Sequence, residues 1–199
     1  MSNSEARRES SGAWASWLWL LPLGLFSAFH ALAMTRAAHG RDAFVAGSPH
    51  GGWLVFGVLA VALPLLALAR ATMRGEALPG SPGHTRLHAL TGGLSLAFAA
   101  ALTSLAVAEG DATSLYARLA DVLSRSSMVL AYAVGAVALA LTLAEGVSGV
   151  LARRGGRFAT TAFAWACALG LFAAQVHGLG HFAAGRGLFL SPQHVEAAP

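Results

Sequence analysis

Apolar residues gather in five long blocks along this chain instead of alternating with polar ones. The blocks cover about 13–35, 53–73, 88–108, 128–151 and 158–182. At about 1.5 Å per residue, each is long enough as a helix to cross about 30 Å of hydrocarbon. Helices of a soluble bundle would carry polar stripes at helical period, and the stretch 55–69 has none. The pattern predicts an all-α fold, a five-transmembrane-helix bundle.

The connections are short, none longer than about twenty residues, so no extramembrane domain with its own core is expected. Residues 1–12 read as a cytoplasmic tail, 13–183 as the membrane domain and 184–199 as an outer tail. Within the connections, 75–83 is rich in Gly and Pro and reads as irregular, whereas 113–124 has apolar residues near helical period and predicts a short helix lying on the outer surface. The first block follows Arg7 and Arg8 as a secretory signal would, but its length and the four spans behind it predict a retained helix. Trp14, Trp17, Trp19 and Trp53 stand at the starts of the first two blocks, where an indole suits the membrane interface or packs against lipid.

Composition agrees: 56% of residues are hydrophobic and 11% charged, against about 25% charged in soluble domains. All 13 basic residues are Arg, and nine acids leave a net charge of +4, too few charges for a nucleic-acid surface. A single cysteine, Cys167, excludes an intrachain disulfide and any Cys-based zinc or iron–sulfur site. Arginine is retained on the cytoplasmic side of short loops. The N-terminal tail and the second and fourth connections carry eight (Arg7, Arg8, Arg70, Arg74, Arg86, Arg153, Arg154, Arg157); the opposite side carries five (Arg36, Arg41, Arg118, Arg125, Arg186). The N-terminus is therefore expected in the cytoplasm and the C-terminus outside.

No phosphate-binding loop, nucleophile elbow or protease-type metal run is present, which argues against a self-sufficient hydrolase. The candidate chemistry lies in ionisable groups inside the membrane, which are costly there. His30 lies in the outward third of the first span; His177 and His181 lie in the outward third of the fifth, spaced i, i+4 on one face. Glu145 lies in the inward third of the fourth. Facing imidazoles can ligate the iron of a b-type haem, or bond a quinone head group and move its protons. They can equally bond a neighbouring carbonyl, and Glu145 can serve as a helix–helix hydrogen bond.

Four stretches resemble the five-helix cytochrome b membrane subunit of succinate dehydrogenase and fumarate reductase. Gly40-Arg41-Asp42-Ala43-Phe44 follows His30 at the family's spacing. Thr85-Arg86 with Thr91-Gly92 is similar to the segment opening its third helix. Leu115-Tyr116-Ala117, Asp121 and Ser124 resemble its surface helix. Tyr132, Gly135, Thr142, Glu145 and Gly146 follow its fourth-helix pattern, in which His stands at the positions held here by Thr142 and Glu145.

The resemblance implies an inner-membrane anchor of the respiratory chain, inert alone, with flavoprotein and iron–sulfur partners and electron transport to quinone, menaquinone by the family likeness. It also implies a haem problem. Two-haem members take one His from each of the first four helices, and here only His30 survives; the third helix has Leu102 and Thr103 near the expected place. Either His30 pairs with His177 or His181 around one haem b, or electrons pass to quinone directly. For the haem-free form, Glu145, Arg86, His84 and His88 are the inward quinone and proton candidates. Arg153, Arg154 and Arg157 are docking charges or plain topology determinants; Asp42 and Glu109 gate the outer site or lie solvated in loops. The alternative from another class is a small transporter or proton-conducting protein using Glu145 and the intramembrane histidines.

Overall fold

The computed structural model describes residues 3–47, 50–73, 84–152 and 157–185, with the side chains of 3–19, 84–88 and a few helix-end residues outside that description. Among the described residues every regular element is a helix: α1 (Asn3–Ala37), α2 (Arg41–Ala46), α3 (His50–Met73), α4 (His84–Glu109), α5 (Ala112–Leu123), α6 (Ser126–Ala152) and α7 (Arg157–Ala184). Five of them, α1, α3, α4, α6 and α7, are long and apolar enough to span a membrane. In hydrocarbon every backbone N–H and C=O must be satisfied within the segment, and a continuous helix does this. The chain is an all-α, multi-pass membrane bundle, as the apolar blocks predict.

Each span is longer than its apolar block. α1 continues back to Asn3, α3 starts at His50 and α4 at His84, because the helical hydrogen-bond ladder runs on through polar residues where the chain leaves the hydrocarbon. The expected Gly/Pro-rich connection and the tail beyond residue 185 lie outside the described residues.

Two short helices cap one end of the bundle. The surface helix expected at 113–124 is α5, whose Leu115, Leu119 and Leu123 recur at i+4 and are all buried. Asp111 starts it by accepting the N–H groups of Thr113 and Ser114 at 2.7 and 3.0 Å. The other, α2, was not legible in the sequence. It follows Gly40, whose φ of 101° turns the chain sharply out of α1, and it buries Phe44 completely.

α1 is the hub. It packs on α3, α6 and α7; α4 bridges α3 and α6; and α7 lies against α1 and α6. Chain order makes α1, α4 and α7 run toward the capped end and α3 and α6 run away from it. A close approach onto backbone lies at Gly178 of α7, where a Cβ would be 2.3 Å from the Met34 carbonyl oxygen of α1. Gly178 therefore lets two backbones touch where a side chain cannot yield.

Two expected outcomes follow from these contacts. Gly178→Ala should lower stability by about 1–3 kcal/mol in unfolding titrations in mixed micelles. Gly149→Ala, with no described atom within 4 Å of its Cβ, should cost nothing and gain up to about 1 kcal/mol of helix propensity. For the cap, the Ser114 hydroxyl and the two backbone N–H groups hold the Asp111 carboxyl below its ordinary 3.8. This contribution is complete above the ordinary carboxylate range and lost as pH falls through the lowered folded value. Hydrogen exchange corrected for intrinsic rate should show the first turn of α5 opening in acid, and opening already at neutral pH in Asp111→Ala.

Candidate functional site

His30 sits at the centre of the bundle with no solvent exposure. Its Nε2 is 2.6 Å from the Tyr132 hydroxyl of α6, a partner 102 residues away. Phe26, one turn earlier on α1, stacks on the imidazole at a centroid distance of 6.0 Å. Trp53 of α3 lies at 4.8 Å and Phe98 of α4 at 6.1 Å, with Phe98 and Tyr132 meeting edge to face at 5.2 Å. Gly135 of α6 admits Phe98, whose ring would lie 2.3 Å from a Cβ there. Trp53 is thus a core residue with no exposure, in contrast to the interfacial place its position at a helix start suggests. Among the described residues, His30 Nδ1 and Trp53 Nε1 have no hydrogen-bond partner.

A second polar contact joins α4 and α6 nearer the uncapped end. The Ser95 hydroxyl donates to the Thr91 carbonyl at 2.7 Å, so the Thr142 hydroxyl must be the donor in its 2.8 Å bond to Ser95. Between α1 and α7, Gln175 Nε2 donates to Ser27 Oγ at 3.1 Å, with both side chains buried. Nothing in the sequence pattern singles out Ser95, Ser27 or Gln175; each is a lone polar residue whose partner depends on helix rotation.

His177 and His181 stand apart from His30. Gly178 is level with Met34, so the two histidines lie about one and two turns nearer the cap than His30. His181 Nε2 meets the Tyr116 hydroxyl of α5 at 3.0 Å. Tyr116 packs its ring on Phe44 of α2 and Phe182 of α7. Burial raises the Tyr116 phenol above its ordinary 10.0, so the hydroxyl stays protonated beside His181.

A haem held between His30 and either α7 histidine would need both imidazoles aimed at one iron. The ring contacts of His30 come instead from α1, α3, α4 and α6, and its Nε2 is taken by Tyr132; the Nε2 of His181 is taken by Tyr116. Thr142, at the resemblance's fourth-helix ligand position, bonds Ser95. Among the described residues, no group of three or more His, Cys, Asp or Glu side chains is arranged to hold a metal. With Nε2 engaged on both rings, His30 and His181 as placed do not fit the two axial positions of one haem.

The inward candidates share the opposite end. Glu145 lies half-buried one turn beyond Thr142. α4 begins at His84 and runs antiparallel to α6, with Ser95 and Thr142 fixing the register. The first turns of α4 therefore adjoin the turns of α6 around and beyond Glu145. The side chains of His84, Arg86, His88 and Arg157 lie outside the described residues, as do Arg153 and Arg154 entirely. At the capped end Glu109 pairs with Arg118 at 3.9 Å, and Asp42 is exposed in the first turn of α2.

The His30–Tyr132 bond should be measurable as stability. Intramembrane side-chain hydrogen bonds are worth about 0.6 kcal/mol on average and up to about 1.7. Tyr132→Phe should cost an amount in that range in micellar unfolding, and a double-mutant cycle with His30→Phe should show positive coupling. Comparison with known protein families, curated proteins and solved structures found no match to this chain.

Proposed function

We propose that the chain is the membrane anchor of a succinate dehydrogenase/fumarate reductase complex of the inner (cytoplasmic) membrane, binding quinone and passing electrons without haem. One observation carries the reading. The two non-spanning stretches that resemble the family, 40–44 and 115–124, coincide with α2 and α5, which meet through Phe44 and Tyr116 at a centroid distance of 5.4 Å. A likeness confined to apolar composition would have no reason to fall on two short helices in mutual contact.

The haem-free form is supported by the engagement of His30 with Tyr132 and of Thr142 with Ser95. Electrons then pass straight from a cluster in the iron–sulfur partner to quinone, menaquinone by the resemblance. Each quinone takes two electrons and two protons to become quinol. Glu145 is assigned as a proton donor, with His84, His88 and Arg86 at the adjoining start of α4 as further proton and head-group contacts. The flavoprotein and iron–sulfur subunits dock at this end, opposite α2 and α5.

Purification of the tagged chain in mild detergent from its native membrane, followed by mass spectrometry, tests the assignment. Recovery of a flavoprotein and an iron–sulfur protein in near-equal amounts is expected. A bare chain, purified under conditions that keep other respiratory complexes whole, would sink the reading; proton flux through liposomes would then favour the transporter. In the assembled complex, Glu145→Gln should slow quinone turnover by about tenfold or more with subunit content unchanged. Equal turnover would remove Glu145 from proton delivery.

A further inference from the structure

The capped end gathers one arginine of α2, two histidines of α7 and a third in the turn after α1 near Tyr116 of α5. Phe44 of α2 packs on Tyr116, and Arg41 stands three residues earlier on the same face of α2, close enough for its charge to act on the Tyr116 hydroxyl. Tyr116 meets His181 at 3.0 Å, and His177 lies one turn back along α7. His39, in the turn after α1, lies within electrostatic reach of both α7 histidines. Its Nδ1 is spent on the Thr35 carbonyl at 2.9 Å, which leaves Nε2 for another partner.

The nearby carboxylates are mostly engaged elsewhere. Asp121 pairs with Arg118 and Arg125, Glu109 faces Arg118, and Asp111 caps its own helix. Asp42 neighbours Arg41 in sequence but makes no ion pair among the described residues, and Arg41 has no carboxylate within 4.0 Å there. The depth of the cluster matters as much as its charge. The apolar window of α1 ends at Ala37 and that of α7 at Ala184, so His39, Arg41 and His181 lie where hydrocarbon gives way to head groups.

We propose that Arg41, His39, His181 and Tyr116 form a binding site for a phosphate group at the membrane boundary, carried by an anionic phospholipid or free in solution. The guanidinium supplies a planar pair of N–H donors matched to two phosphate oxygens. His39, whose Nδ1–H is held by the Thr35 carbonyl, supplies a third contact as the imidazolium, through Nε2–H, and Tyr116 and His181 line the floor. Binding there ties α2 to α5 and α7 across the end of the bundle.

The test uses the full chain in phosphatidylcholine nanodiscs. Thermal unfolding midpoints are compared with and without phosphatidylglycerol in the disc, and with inorganic phosphate at matched ionic strength. A gain of several degrees is expected from at least one of the two. A gain from phosphatidylglycerol alone identifies a lipid head group as the ligand; an equal gain from inorganic phosphate identifies the free anion. Arg41→Gln with His39→Gln should lose most of the gain, Arg41→Lys should keep part of it, and Arg125→Gln, outside the cluster, should keep all of it. No gain from either probe overturns the proposal. So does a gain that survives the double substitution, or one that falls as much in Arg125→Gln.

Discussion

Inside hydrocarbon a helix gains nothing by hiding a leucine from its surroundings, because lipid is as apolar as leucine itself. What holds this bundle together must be something lipid cannot offer. The structure uses two such means: close packing around glycine, and hydrogen bonds between lone polar side chains. Gly178 brings α7 onto the α1 backbone, Gly135 seats the Phe98 ring, and Gly57 accommodates Thr103. Across the first two of these interfaces run Gln175 to Ser27 and Thr142 to Ser95, and between α6 and α1 runs Tyr132 to His30. An unpaired polar atom is costly in the membrane, so each of these pairs also fixes the rotation and register of the helices that carry it.

The same two means fill the interior of the bundle. The resemblance to a haem-bearing family leads one to look for imidazoles facing an iron. The single histidine of α1 is instead enclosed by Phe26, Trp53, Phe98 and Tyr132, and Thr142, where the resemblance leads one to expect a ligand, joins two helices. Side chains occupy the centre and keep the four surrounding helices in contact. Under the proposed anchor role, electron transfer is left to the uncapped end, where Glu145 lies near the helix termini.

Much of the architecture was legible because it rests on long-range averages. Twenty consecutive apolar residues make a span whatever their order, and the i+4 leucines of α5 announce a helix lying on a surface. Helix ends were less legible: α3 and α4 begin several residues before their apolar blocks, since backbone bonding does not stop where the lipid does. A helix as short as α2 leaves no periodicity to read, and only the φ of Gly40 explains its start. The sites were least legible. That His30 meets Tyr132, while His181 meets Tyr116, depends on helix rotation, and equally apolar faces on every side leave rotation unspecified by pattern. Trp53 shows the same limit, since an indole at a helix start suits the interface or the core equally well.

The hub position of α1 has a consequence for how the protein is made. α1 is synthesised before the other spans, yet Ser27 and the backbone at Met34 meet their partners only on α7, the last of the described helices. Until α7 inserts, α1 presents an unpaired hydroxyl and a bare backbone groove to lipid. The α1–α7 seam therefore closes only after the intervening described helices have been made, and until then that face of α1 is open within the bilayer.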